Sequence, residues 1–248
     1  MVRDWSVYEL NQLRKHGLAD EGLSKYGEMP VEYITGHADF DSLDILVNKD
    51  VLIPRVESAD VLDIAQELMA DRMEIIFAEI GTGSGAIGIA LERRLLDQNK
   101  KVKGILTDVS APAVELARKN YQNLLPEDKN MEIYVSDLMK AIPSGIKFDL
   151  IIANLPYIPT SRLPHLPLSV KGFEPEIALD GGPEGLTLLK KLLNQAQERL
   201  VDDGVIILEM DYSHDIPDFI DVTGYQYEIR QDEFGQNRFL LARLRKKV

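Results

Sequence analysis

A doubly wound α/β fold built on a parallel sheet is what this sequence predicts, and three observations predict it. Apolar residues over 75–80 run into the glycine-rich turn Glu79-Ile80-Gly81-Thr82-Gly83-Ser84-Gly85-Ala86-Ile87-Gly88, after which Ile87, Leu91 and Leu95 open a helical spacing. A second apolar run, residues 148–153, ends in Asn154-Leu155-Pro156-Tyr157. Unbroken runs of this kind suit strands covered by helices on both faces. Around these two signals, strand-like and helix-like segments alternate as βαβ units do.

The elements follow in order. Ser6-Val7-Tyr8-Glu9 is a capping-box signature, and it starts a helix running to about Lys15 that Gly17 closes. Residues 37–48 predict a hairpin turning at 41–43, and Val61, Leu62, Ala65, Leu68 and Met69 give residues 57–72 a helical spacing. A strand over 101–107 ends at Asp108, a helix follows over 110–123, and a strand over 131–135 ends in Ser136-Asp137-Leu138. Residues 158–183 are rich in Pro, too irregular for one element and too long for an ordinary connection, which marks a functional lid or a disordered segment. A helix over 185–200, a strand over 204–210 and an antiparallel pair, 225–229 with 238–244, complete the chain. The organisation predicted is a short helical segment and hairpin over 1–56, then one large α/β domain over 57–248.

Composition narrows the function classes. A net charge of -13 opposes binding to a phosphate backbone, because nucleic-acid binders use Lys and Arg to release condensed counterions. The basic run Arg243-Leu244-Arg245-Lys246-Lys247 is expected to be a solvated strand exit. With no cysteine, disulfides, zinc fingers and thiol catalysis are excluded. His16, His37, His165 and His214 show no metal-ligand spacing, so no metal is expected. No apolar run approaches the roughly 20 residues that span a bilayer, and the first residues lack a signal core. A soluble, cytoplasmic protein is expected.

The chemistry-bearing residues cluster at predicted strand ends, where α/β sheets bind ligands. Gly81, Thr82, Gly83, Ser84 and Gly85, with Glu79 before them, form a turn that lets the backbone approach a nucleotide-like cofactor closely. Gly83, Gly85 and Gly88 fit a G-x-G-x-x-G pattern, which serves a dinucleotide or S-adenosylmethionine equally. Asp108 is placed to accept from both hydroxyls of a ribose; its plainer alternative is the N-cap of the next helix, which Ser110 can fill. Asp137 could accept from an adenine amine and Leu138 cover the ring, or either could be an ordinary strand-end residue. In Asn154-Leu155-Pro156-Tyr157, a polar Asn, a rigid Pro and an aromatic residue suit a flat substrate, whereas alone they would suit a turn.

Taken together, the glycine turn, the ribose acid and the Asn-x-Pro-Tyr segment resemble a class I (Rossmann-like) S-adenosylmethionine-dependent methyltransferase that methylates nitrogen. Pro30-Val31-Glu32-Tyr33-Ile34-Thr35-Gly36, Val51-Leu52-Ile53-Pro54-Arg55-Val56-Glu57, Phe173-Glu174-Pro175 and the run from Ala178 through Asp180-Gly181-Gly182 to Leu186 are similar to the HemK-like family. These are the protein-glutamine methyltransferases of peptide chain release factors. Asp232, Gly235 and Arg238 match that family's pattern before the last strand.

The resemblance implies S-adenosylmethionine as cofactor and, as substrate, the glutamine of a Gly-Gly-Gln sequence in a release factor. It implies that the Asn154 side-chain oxygen and the Pro156 carbonyl accept the two amide N–H bonds, that Tyr157 stacks on the amide, and that Leu155 belongs to the same substrate-binding turn. The family has Pro where this chain has Leu155, Arg-Pro-Glu-Thr-Glu where it has Arg55-Val56-Glu57-Ser58-Ala59, Trp where it has Leu138, and a glycine-containing run where it has Leu208-Glu209-Met210-Asp211. Its helical domain before the hairpin is matched here only by residues 1–29, room for one or two helices. Other readings stay open: methyl transfer to an exocyclic amine of a nucleic-acid base, a protein that binds an adenosine cofactor without catalysing transfer, and a nicotinamide enzyme.

Overall fold

The computed structural model describes residues 3–18, 22–232 and 234–245. Ser6 caps α1 (Val7–Lys15): its hydroxyl accepts the Glu9 N–H while the Glu9 carboxylate accepts the Ser6 N–H, so two otherwise orphaned donors are satisfied. Leu13 of α1 meets Leu23 and Val31 in a small apolar core with Trp5, Leu10 and Tyr26 packed on it. After α2 (Val31–Thr35), the hairpin of β1 (His37–Phe40) and β2 (Leu43–Leu46) turns through Asp41 and Ser42. Both turn residues have positive φ, 48° and 63°, the type I′ geometry whose twist matches the flanking strands. Period-2 alternation then sends Phe40, Leu43 and Ile45 into the main core.

The remaining elements are α3 (Asp60–Leu68), β3 (Glu74–Ile80), α4 (Ala86–Asp97), β4 (Lys101–Asp108), α5 (Ala111–Leu124), β5 (Met131–Val135), β6 (Phe148–Ala153), α6 (Leu168–Lys171), α7 (Thr187–Ala196), β7 (Leu200–Glu209), β8 (Tyr225–Gln231) and β9 (Asn237–Leu244). Seven strands form one sheet in the order β5-β4-β3-β6-β7-β9-β8. The pairs from β5 to β7 are parallel, and β9 lies antiparallel between β7 and β8. The chain leaves β3 for β4 and β5 on one side and returns to β6 on the other. The carboxyl ends of β3 and β6, where Ile80 pairs with Ala153, are therefore a topological switch point.

Every residue of β6 is buried, and its side chains alternate between two cores. Leu150 and Ile152 pack with α3, α4 and α5, whereas Ile151 and Ala153 pack with α7. The one acid in the strand, Asp149, accepts the Ile76 N–H at 2.8 Å and pairs with Arg72. It takes up a donor just before the first paired residue of the β3–β6 ladder, Phe77. Some element limits differ from the sequence expectation. The helix expected over 57–72 begins as a 3₁₀ turn at Glu57–Ala59, and β7 begins at Leu200, which pairs with Phe148 through a bulge. No helix among the described residues is long and apolar enough to cross a membrane. Lys246 and Lys247 of the basic run lie outside the described residues.

One buried acid makes stability depend on pH. Glu92 of α4 is fully buried, and burial together with neighbouring Asp128 pushes its pKa up to about 9. At neutral pH it is therefore protonated. A carboxyl whose folded pKa is raised contributes stability that is intact below its unfolded value and is lost as pH rises through the folded one. Glu92→Gln keeps the size of the side chain and cannot ionise. Its unfolding free energy from urea titrations, compared with wild type across pH 5 to 10, is expected to gain on wild type by a few kcal/mol, because each tenfold difference in proton affinity between the folded and unfolded states is worth about 1.4 kcal/mol. A constant difference across that range would remove Glu92 as the cause.

Candidate active site

A cavity of about 340 Å³ opens at the switch point, within the usual range for a small-molecule site. Its wall brings together Glu79, Gly81, Thr82, Gly83, Ser84, Asp108, Asp137, Leu138, Asn154, Leu155 and Pro156. Gly85 and Tyr157 lie outside that wall. Gly85 is the left-handed residue that starts α4, and a Cβ there would come within 2.9 Å of Ile89 and 3.2 Å of Ala117. Tyr157 stands behind the Asn154 turn, partly buried.

The glycine loop is fastened by two carboxylates. Glu79 Oε2 accepts the Thr82 hydroxyl at 2.5 Å and the Gly88 N–H at 2.9 Å, and burial pushes its pKa up to about 8. Asp108 accepts the Gly83 N–H through one oxygen and the Ser110 N–H through the other, both at 2.8 Å. Burial raises its pKa and these backbone donors oppose the rise. Each Asp108 oxygen keeps a second lone pair. Ser110 caps α5 through its own hydroxyl, which leaves the Asp108 carboxylate available to a ligand. The Asp137 carboxylate is held by Lys140 and Lys191, which keep its pKa low. Leu138, with φ of 53°, is turned so that its apolar side chain is buried against the wall.

Leu155 explains how the loop and the Asn154 turn stay in register. It is buried, and a Cβ on Gly81 would fall 2.7 Å from its Cδ2. The aliphatic side chain thus fills the space that the missing Gly81 side chain leaves. Beside it, the Asn154 Nδ2 group donates to Ser58 Oγ at 3.1 Å, Ser58 Oγ donates to Glu209 Oε2 at 2.7 Å, and the Tyr157 hydroxyl donates to Glu209 Oε1 at 2.9 Å. Asn154 Oδ1 has no partner among these bonds. Glu209 is wholly buried, and burial raises its pKa against the two hydroxyl donors and the Arg238 charge. Arg238 is in turn held by Asp232.

Sequence reasoning missed Ser58 and Glu209. The one signal available was an acid closing an apolar strand, since Glu209 follows Val205 through Leu208. The 158–183 segment is folded: short helical turns and a bridge between Ile158 and Asp180 hold it. Arg55 donates to both oxygens of buried Glu174, and Arg162 pairs with Asp211, which tie the segment to the cavity rim and to the end of β7. The two sequence motifs that contain Arg55 and Glu174 meet here.

At Gly181 a Cβ would stand 2.7 Å from the backbone of both Gly185 and Tyr157 and 2.8 Å from the Pro156 carbonyl oxygen. No side chain there can yield, because every neighbour is backbone. Gly181→Ala is therefore expected to displace the Pro156-Tyr157 backbone and cost about 1–3 kcal/mol of stability, with a larger loss of turnover. Thermal unfolding and turnover measured together would check this; wild-type values for both would contradict it.

Away from the cavity, His16 and His37 stack at 4.1 Å, and His37 Nδ1 lies 2.9 Å from Asp44 Oδ1. The potential ligand atoms of these three residues fall within 4.8 Å of one another, a grouping that sequence spacing conceals because the hairpin folds back on α1.

The model of the methyltransferase small domain family matches residues 51–162. The release factor glutamine methyltransferase of Koribacter versatilis is 35% identical over 196 residues, 78% of this chain and 67% of the relative. That of Moorella thermoacetica is 36% identical over 217 residues, 86% of this chain and 74% of the relative. Among solved structures, a 16S rRNA methyltransferase of T. thermophilus in complex with AdoMet and guanosine has a TM-score of 0.56 at 18% identity, over 84% of this chain and 50% of that one. That likeness is one of fold. The sheet order, the cavity at its switch point and relatives of this identity agree, and the chain belongs to the release factor glutamine methyltransferase family.

Proposed function

We propose that this protein transfers a methyl group from S-adenosylmethionine to the side-chain amide nitrogen of a glutamine, that of the Gly-Gly-Gln sequence in a peptide chain release factor, in the cytoplasm where translation proceeds. The observation that carries the reading is the Asn154 amide, whose nitrogen is committed to Ser58 and whose oxygen is left to accept at the cavity.

The residues present fit the cofactor. Asp108 offers two acceptor oxygens to a ribose and Leu138 an apolar cover to a ring. A dinucleotide pyrophosphate is less well served, because Glu79 and Asp108 already occupy N–H groups of the glycine loop and of the start of α4 where an anion would bind. When bound, S-adenosylmethionine supplies a methyl group on a positively charged sulfur.

The protein's task is the amide, whose nitrogen lone pair is delocalised into its carbonyl. Asn154 Oδ1 and the Pro156 carbonyl accept its two N–H bonds and orient the nitrogen. As positive charge develops on that nitrogen, both acceptors bind it more strongly than in the ground state, which is differential stabilisation of the transition state, and the methylated nitrogen then gives up one of its two protons to solvent. Tyr157, pinned through its hydroxyl to Glu209, braces the Asn154 turn from behind.

Thermal shift with S-adenosylmethionine and with NAD tests the cofactor, since a ligand that binds only the folded state stabilises it by mass action. Stabilisation by the first alone is the expected result, and a response to NAD alone would overturn the assignment. Labelled S-adenosylmethionine offered with a release factor or with total RNA from the same source tests the acceptor: label is expected on protein, and label on RNA alone would redirect the reading to a base amine.

A further inference from the structure

We propose that Ser58 and Glu209 are positioning residues that fix the polarity of the Asn154 amide, so that its oxygen and not its NH₂ group faces the substrate. The inference rests on Asn154 acting as the acceptor for the substrate amide, and it names what makes Asn154 an acceptor.

The two ends of an Asn side chain have nearly the same size, so shape alone does not decide which one enters the cavity. Hydrogen bonding must. A carboxylate only accepts, and Glu209 receives the Tyr157 hydroxyl on one oxygen and the Ser58 hydroxyl on the other. Ser58 has a single proton. Once that proton is given to Glu209, Ser58 can present only lone pairs to Asn154, and Asn154 must answer with its NH₂ group. A flipped amide would set oxygen against oxygen. Ser58 is 2% exposed and Glu209 3%, so bulk water does not compete for these bonds.

The topology makes this chain of bonds possible. Asn154 follows β6 and Glu209 ends β7, two neighbouring strands in which Ala153 pairs with Leu208, while Ser58 is brought over them by the turn before α3. The groups facing Glu209 are Tyr157 from the strand-end turn, Ser58 and Glu57 from the turn before α3, and Arg238 from β9. Arg238 supports the ionised form, whereas burial and Glu57 oppose it. A protonated Glu209 becomes a donor, which frees Ser58 to donate to Asn154 and lets the amide reverse.

Four variants test the assignment: Ser58→Ala removes the relay, Ser58→Thr retains its hydroxyl, Glu209→Gln removes the pure acceptor, and Asn154→Asp identifies the Asn154 side-chain resonances by their loss. The first readout needs no substrate. In the ¹⁵N–¹H spectrum, the Asn154 NH₂ protons are expected to be protected from exchange in wild type and Ser58→Thr, and unprotected in Ser58→Ala. The second is turnover with a release factor. Ser58→Ala and Glu209→Gln are expected to lower kcat about tenfold or more, the worth of one hydrogen bond or somewhat above, with S-adenosylmethionine affinity within about threefold of wild type. Ser58→Thr is expected to restore kcat. Wild type should also lose kcat toward acid pH, and Glu209→Gln should lack that limb, which a purely structural role would leave in place.

Unprotected Asn154 protons in wild type, or kcat unchanged in Ser58→Ala, would overturn the positioning role. If Glu209→Gln does not fold, the Ser58 pair decides the question alone. Protected protons in a wild type that methylates no release factor would instead support the positioning role and reject the substrate reading.

Discussion

Asn154→Ala is expected to lower kcat for glutamine methylation by at least about 100-fold while changing the affinity for S-adenosylmethionine by no more than about threefold. Loss of one preorganised group aimed at developing charge typically costs two to three orders of magnitude in rate. The split between rate and affinity follows from geometry. Asn154 stands at the end of β6, whereas Asp108 stands at the end of β4, two strands away in the sheet. The Ala variant also leaves Ser58 without the donor it now accepts, but Ser58 keeps its bond to Glu209, so the scaffold should hold. Turnover by a labelled-methyl assay and affinity by calorimetry measure the two numbers separately. Unchanged kcat would remove Asn154 from the reacting atoms.

The second large effect belongs to Asp108. Asp108→Ala is expected to weaken S-adenosylmethionine binding by at least about 100-fold, because hydrogen bonds to a charged group are worth about 1.5–3 kcal/mol each and a ribose offers two. The same substitution strips the Gly83 N–H of its partner and loosens the loop at its tip. At saturating cofactor, kcat should fall much less, since the Asn154 turn is untouched. A Kd equal to that of wild type would place the ribose elsewhere.

The parallel strands were legible because helices cover both faces and leave continuous apolar runs. The strands expected over 131–135 and 148–153 coincide with β5 and β6. The start of β7 was not legible, because Asp202 and Asp203 interrupt its apolar pattern and Leu200 reads as the end of the preceding helix. The turns between Thr160 and Ala178 escaped notice for another reason: each is too short for a period to register, and Pro159, Pro164, Pro167 and Pro175 punctuate them. At the site, the glycine loop, Asp108 and Asn154 were legible because each immediately follows or ends an apolar strand. Ser58 and Glu209 were not, since they meet across 151 residues and only folding shows that they share one hydrogen bond. Gly181 was visible as part of a motif, but its reason, contact with the Pro156-Tyr157 backbone, is a property of the folded chain.

The most direct test of the account is peptide mass spectrometry on a release factor from the same source after incubation with this protein and S-adenosylmethionine, beside a copy in which the Gly-Gly-Gln glutamine is replaced by Ala. One methyl group on that glutamine, absent from the Ala copy and absent when Asn154→Ala replaces the wild-type protein, is the predicted result. Methylation that persists in the Ala copy, or that survives loss of Asn154, would contradict it.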